Sequence, residues 1–223
     1  MTASPSSGFQ WKDAALRTVT VYTDYKSPYA YLANAAVYAL AAETGAVVEW
    51  KPYILDIPQY LGSARVDAAG NVVEENRNAH QWRRVRYSYM DCRRQARKQG
   101  LTIRGTQKIW DSTTAAAGML FARKHGDAVF RRYHDTVFER FWRRDLDIES
   151  VAAVAAVLQD AGAPGFSGWV ETGRDQVAVI SREAEAQGVF GVPSFLVDGG
   201  LFWGREQIPD VRALLRQAGP LNG

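Results

Sequence analysis

The 223-residue sequence contains one cysteine, Cys92, so neither an intramolecular disulfide nor a thiolate metal cluster can form. Its histidines, His80, His125 and His134, are scattered without ligand spacing, and no Cys/His or carboxylate/His pattern accompanies them, so no metal is expected. No apolar run approaches the roughly 18 residues that a membrane span requires. Met1 to Lys12 holds Ser, Pro and Gly but lacks the basic segment followed by an apolar one that marks a signal peptide. Internal repeats are missing too. The formal net charge of +3 is too mild to indicate nucleic acid. The expectation is a soluble cytoplasmic protein that contacts neither nucleic acid nor membrane.

What is present is ordinary globular material, 47% hydrophobic and 23% charged, enough to bury one sizeable core. Thr18 to Thr23 alternates Val19 and Val21 against threonines and reads as a strand. Ser27-Pro28 opens a helical stretch, Tyr29 to Thr44, which Gly45 stops. Val47 to Tyr53 reads as a second strand, with Pro52 favouring an edge or a strand end. A β-α-β start of this kind predicts a parallel strand pair.

After a polar loop around Ala68 to Asn71, helical pattern dominates from about Glu74 to Gln187. The first inserted helix carries a stripe of Trp82, Val85, Tyr89, Cys92 and Ala96, and Cys92 is expected to be buried there. Asp111-Ser112 caps a second helix ending near Gly126, and Asp127 to Arg143, Asp147 to Ala161 and Val170 to Gln187 give three more. The end returns to β pattern: Ser194 to Asp198, a Gly199-Gly200 turn, then Leu201 to Trp203, before a final helix from about Glu206 to Ala218. The expected architecture is α/β, a thioredoxin-like core (17–60 and 188–218) interrupted by an all-helical insertion with its connecting helix (74–187). Residues 1–16 form an N-terminal extension.

Two segments invite chemistry. Ser27 is a favoured N-cap and Pro28 suits the first helical position, so helix capping alone accounts for the pair. Their place, after the first strand and at a helix N-terminus, is also where an open α/β sheet presents ligands and where a thiolate is stabilised. In Gly188 to Pro193, a proline stands at the entrance of a core strand. An ordinary trans bond accounts for it. A cis Val192–Pro193 bond would instead turn the Val192 backbone outward to pair with an extended ligand. The basic face of Arg83, Arg84, Arg86, Arg93, Arg94, Arg97 and Lys98 reads as solvated charge, with steering of an anionic substrate as its alternative use.

Two stretches, Tyr22 to Ala33 (YTDYKSPYAYLA) and Gly188 to Gly204 (GVFGVPSFLVDGGLFWG), resemble the 2-hydroxychromene-2-carboxylate isomerase family. That family groups with kappa-class glutathione transferases and DsbA-like thioredoxin folds, and the resemblance runs from about Arg17 to Ala218. It implies that Ser27 hydrogen-bonds the sulfur of glutathione. It also implies that Val192, beside a cis Pro193, pairs its backbone with the tripeptide. Arg205 and Glu206 stand where the family has a polar residue and then Asp to hold the γ-glutamyl end. Asn71 is the positional candidate for a family Asn, and Arg84 for a lysine-like contact. Redox members of the superfamily carry cysteines where this chain has Ser27 and Ala30, so exchange through a dithiol is not expected. Leu101 to Thr106, with Gly105, departs from the proline-rich family pattern and implies a reshaped pocket wall.

The implied activity is a glutathione-dependent isomerase that acts on a small aromatic or unsaturated acid by reversible thiolate addition. Another low-molecular-weight thiol could replace glutathione. A kappa-like glutathione transferase and a non-catalytic thioredoxin-like binding protein are the alternatives. The resemblance further implies a homodimer formed through the helical insertion.

Overall fold

A computed structural model describes residues 17–217. The expected extension 1–16, and Ala218 at the end of the last helix, lie outside the described residues. Strand β1 (Thr18–Thr23), helix α1 (Pro28–Thr44) and strand β2 (Val47–Pro52) form as their patterns predict, and β1 and β2 are parallel. Both faces of β1 are covered: Val19 and Val21 are buried on one, Thr20 and Tyr22 on the other. Gly45 ends α1 at φ +69°, its N–H donating to the Ala41 carbonyl at 2.9 Å.

The segment that follows, ahead of the helical insertion, holds elements that the sequence pattern does not signal. A short helix α2 (Ile57–Leu61) precedes a small hairpin of β3 (Ala64–Val66) and β4 (Val72–Glu75), so the polar 68–71 loop is a hairpin tip. These strands are short, bulged and mostly exposed, and they carry no alternation to read. Helix α3 therefore begins at Ala79 rather than near Glu74, set by a capping box in which Asn78 and Gln81 exchange backbone and side-chain bonds at 2.9 Å. Helices α4 (Thr113–Lys124), α5 (Asp127–Arg143), α6 (Val151–Ala161) and α7 (Val170–Ala186) follow. The start of α6 also moves, from Asp147 to Val151. Asp147 spends its carboxylate on the N–H groups of Glu149 and Ser150, and Ser150 Oγ caps the helix at Ala153 N–H.

Strands β5 (Ser194–Val197) and β6 (Gly200–Trp203) and helix α8 (Ile208–Arg216) complete the chain, with the sheet ordered β2-β1-β5-β6. β2 lies at an edge, which accommodates Pro52. The β5–β6 turn is Asp198-Gly199, at φ +48° and +80°, rather than Gly199-Gly200. A two-residue loop with both central φ positive matches the strand twist, and Gly200 is left to pair with Val197. Residues 205–207 form a single 3-10 turn, so α8 starts at Ile208 rather than Glu206.

Small residues on α4 let α5, α6 and α7 close around it. A Cβ on Gly118 would collide with the Tyr133 hydroxyl and Val154, and one on Gly173 would meet Ala117 at 2.8 Å. Tyr133 donates to the Ala115 carbonyl at 2.7 Å. Among the described residues, no helix is long and apolar enough to cross a membrane.

An aromatic cluster joins this helical layer to the sheet. Tyr25, Trp50, Phe130 and Phe138 surround His134, whose Nδ1 shares a 3.0 Å hydrogen bond with the Tyr25 hydroxyl. Complete burial lowers the His134 pKa from 6.5 to about 3, so the ring is neutral in the folded protein. The unfolded chain takes up the proton first as pH falls. Stability is therefore lost on acidification from about 6.5 toward 3, at up to about 1.4 kcal/mol per pH unit. Urea unfolding at pH 7.5 and pH 5 should show this slope, and His134→Phe should reduce it by about one proton.

Candidate active site

The turn between β1 and α1 is built on a buried carboxylate. Asp24, 2% exposed, accepts the N–H groups of Lys26 at 3.1 Å and Leu55 at 2.8 Å, and the Lys26 ammonium lies 3.5 Å away. Its backbone carbonyl accepts the Ser27 N–H at 3.0 Å. Removing either member of such a buried pair strands the other charge, typically at about 3–5 kcal/mol. The pair thus fixes where α1 begins.

Ser27 is 4% exposed and caps α1, its Oγ accepting the Ala30 N–H at 3.2 Å. The hydroxyl proton has no acceptor among the described residues. The first turn of α1 contains no acidic residue, so the partial positive charge of the helix end is not offset by its own side chains. Cap and available donor occupy the same oxygen.

The 188–193 loop forms the facing wall. The Val192–Pro193 bond is cis. The Pro193 carbonyl accepts the Gly204 N–H at 2.9 Å, and Ser194 Oγ donates to the Gly191 carbonyl at 2.7 Å. Tyr22 pairs with Ser194 across β1 and β5, which sets Pro193 beside Thr23 at the end of the sheet where α1 starts. Val192 N–H and C=O make no hydrogen bond with another described residue. Neither does the buried Thr23 Oγ1. Trp203 packs over Gly191, where a Cβ would lie 2.6 Å from the indole nitrogen and push the half-exposed ring aside. Half-exposed Phe190 and Trp203 pack at 4.9 Å on the rim.

Ser27, Val192 and Pro193 therefore share one end of the sheet, and Gly204, bonded to Pro193, brings Arg205 and Glu206 near it, whereas Asn71 and Arg84 lie elsewhere. Arg205 lies against α1 in a groove it shares with Asn34 and Gln99. Glu206 is exposed and folds its carboxylate back over Gly204, whose φ of +100° and crowded α-carbon exclude a side chain. Asn71 sits at the β3–β4 tip, bonded to Asp67 through its N–H at 2.9 Å and its side-chain amide at 3.0 Å. Arg84 is exposed on α3. Sequence reading gave no role to Asp24 and Lys26. Their signal is two opposite charges flanking Tyr25 in the strand-to-helix turn.

Among the described residues, no group of three His, Cys, Asp or Glu side chains is placed to hold a metal ion. Cys92 is 0% exposed on the inner face of α3, and burial pushes its thiol up to about 11. Native protein at about pH 8 should resist an aromatic disulfide reagent, whereas the unfolded chain should react with one equivalent. Fast native labelling would contradict the burial.

Residues 18–216 match the family described as DSBA-like thioredoxin domain. The chain is 28% identical over 205 residues to a 2-hydroxychromene-2-carboxylate isomerase of Sphingobium xenophagum, covering 89% of this chain and 98% of that protein. Among solved structures, a 2-hydroxychromene-2-carboxylate isomerase superposes with a TM-score of 0.65 at 20% identity, over 89% of this chain and 94% of the other. The cytosolic disulfide reductase DsbM of Pseudomonas aeruginosa, solved with GSH, superposes with a TM-score of 0.59 at 18% identity, over 89% and 96%. A match of this extent, on a sheet whose helix N-terminus faces a cis-proline loop, places the chain in the DSBA-like thioredoxin family.

Proposed function

We propose that the protein is a glutathione-dependent isomerase of the 2-hydroxychromene-2-carboxylate type, acting on a small aromatic or unsaturated acid. The observation that carries this reading is Ser27, a buried helix cap whose hydroxyl proton is uncommitted. The isomerase relative matched over nearly its whole length favours the reaction class. The fold neighbour solved with GSH favours the thiol. With Ser27 and Ala30 at the superfamily's cysteine positions and Cys92 buried, the chain carries no dithiol of its own.

The residues fit a thiol tripeptide. Ser27 keeps its lone pair on the Ala30 N–H and donates its proton to sulfur, and the helix terminus adds partial positive charge. Together they hold a thiol below its free pKa of about 8.5. The unpaired Val192 backbone offers one donor and one acceptor to an extended peptide. The Glu206 carboxylate suits an ammonium group, and Arg205 a carboxylate. The Asp24–Lys26 pair positions the turn. Bound glutathione would supply the nucleophilic sulfur that adds to a conjugated carbon and departs again after bond rotation, the protein contributing orientation and electrostatics.

Turnover of 2-hydroxychromene-2-carboxylate with added glutathione should be measurable, and Ser27→Ala should lower kcat by about 100-fold, the scale of one lost donor to a developing or held anion. Millimolar glutathione should also raise the melting temperature of the unsubstituted protein. Unchanged kcat in the variant would remove Ser27 from the mechanism. No melting shift with glutathione or any other small thiol would remove the cofactor.

A further inference from the structure

The basic helix face noted in the sequence does not simply point into solvent. Between α3, the β3–β4 hairpin and the 103–109 segment lies a cleft of about 320 Å³ that no step described above uses. Arg77, Arg86, Arg93, Lys108 and Arg144 line it, and no Asp or Glu does. Lys108 is neutralised by Glu149 at 2.5 Å. The four arginines have no carboxylate within ion-pair distance among the described residues, although Glu75 stands near enough to act on Arg77.

Three of these guanidiniums are positioned by backbone carbonyls instead. Arg77 Nε donates to the Leu61 carbonyl at 3.0 Å, Arg93 Nε to that of Ile103 at 3.4 Å, and Arg144 Nε to that of Gly105 at 2.6 Å. A carbonyl orients a guanidinium without cancelling its charge, and most of its five N–H donors stay available. Aromatic rings add support: Arg77 lies 5.0 Å from the Trp82 ring centre and Arg93 5.7 Å from that of Tyr89.

Arg93 and Arg144 converge from different elements. A Cβ on Gly105 would lie 3.1 Å from Arg93 Nη2 and 4.0 Å from Arg144 Nη2. Arg144 reaches that point from the C-cap of α5 with φ +65°, a left-handed backbone where glycine is the low-cost residue. Arg86, Arg93 and Arg144 are exposed, so solvent screens their mutual repulsion, and an anion seated among them would remove what is left. Guanidinium pairs match the planar, bidentate geometry of phosphoryl and carboxylate groups.

We propose that this cleft binds a small organic polyanion bearing at least two oxyanion groups, held between Arg93 and Arg144, with Arg86 one helical repeat before Arg93 on α3 and Arg77 ahead of that helix adding positive charge. Val66, Val85 and Ile109 supply apolar wall for a compact carbon body. Nothing in this site depends on the chemistry at Ser27.

Calorimetric titration of the full chain with inorganic pyrophosphate and with phthalate tests it and separates a phosphoryl from a carboxylate source. At least one should bind, with benzoate at least 10-fold weaker and affinity falling as salt rises. Arg93→Gln and Arg144→Gln should each weaken binding at least 10-fold, while Arg97→Gln, on the exposed end of α3, and Ser27→Ala should leave it unchanged. If either arginine variant fails to fold, Gly105→Asp supplies an internal carboxylate between the two guanidiniums and should abolish binding while the fold is retained. Absence of binding by both probes, or equal weakening by Arg97→Gln, overturns the proposal.

Discussion

The buried contact between Tyr25 and His134 ties the turn before Ser27 to the helical layer. Tyr25 lies in the turn that precedes Ser27, and His134 lies at the middle of α5, 109 residues away in sequence. Their 3.0 Å hydrogen bond is wholly buried, and the rings of Trp50, Phe130 and Phe138 close around it. Tyr31, one turn into α1, stacks on Phe138 at 5.3 Å. Each such aromatic pair contributes about 0.5–1.5 kcal/mol beyond its buried area. Through these contacts the strand end, the helix start and α5 become one rigid body, and the Ser27 turn inherits its position from all three.

That dependence explains why polar groups are tolerated so close to the core. Asp24 and Lys26 are buried beside the cluster, and a buried pair is weak as a source of stability but severe in the geometry it enforces. Thr23 Oγ1 and His134 Nε2 remain unpartnered among the described residues. Unsatisfied buried polar atoms cost about 1–3 kcal/mol each, and close packing of α5, α6 and α7 on the small residues of α4 offsets part of that cost. The helical layer is therefore more than a covering for the sheet. It holds the site's backbone in place.

The two sites proposed to take anions differ in the source of their positive potential. At Ser27 the attraction comes from backbone N–H groups at a helix end and one hydroxyl, which suits a single sulfur. In the cleft beside α3 it comes from full charges on guanidiniums that carbonyls orient. Burial strengthens the first, because solvent and salt screen the partial charges of an exposed helix end. The second works while half open.

Much of the fold was legible because its signals are local. Val19 and Val21, Ser27-Pro28, Gly45 and Gly199-Gly200 each act through neighbours a few residues away, so strand, cap, stop and hairpin follow from residue type, with the hairpin turn displaced by one residue. The β3–β4 hairpin leaves no sequence signal because its strands are three and four residues long and bury no face. For Ser27, sequence determined the cap, and only the β1–β5 register with the cis Val192–Pro193 bond put a facing wall beside it. The burial of Asp24 and Lys26, and the convergence of Arg93 with Arg144 on Gly105, were decided by tertiary structure alone. Those groups meet across elements far apart in the chain, where no spacing rule reaches, and the free energy that brings them together belongs to the packed aromatic and small-residue layers around them.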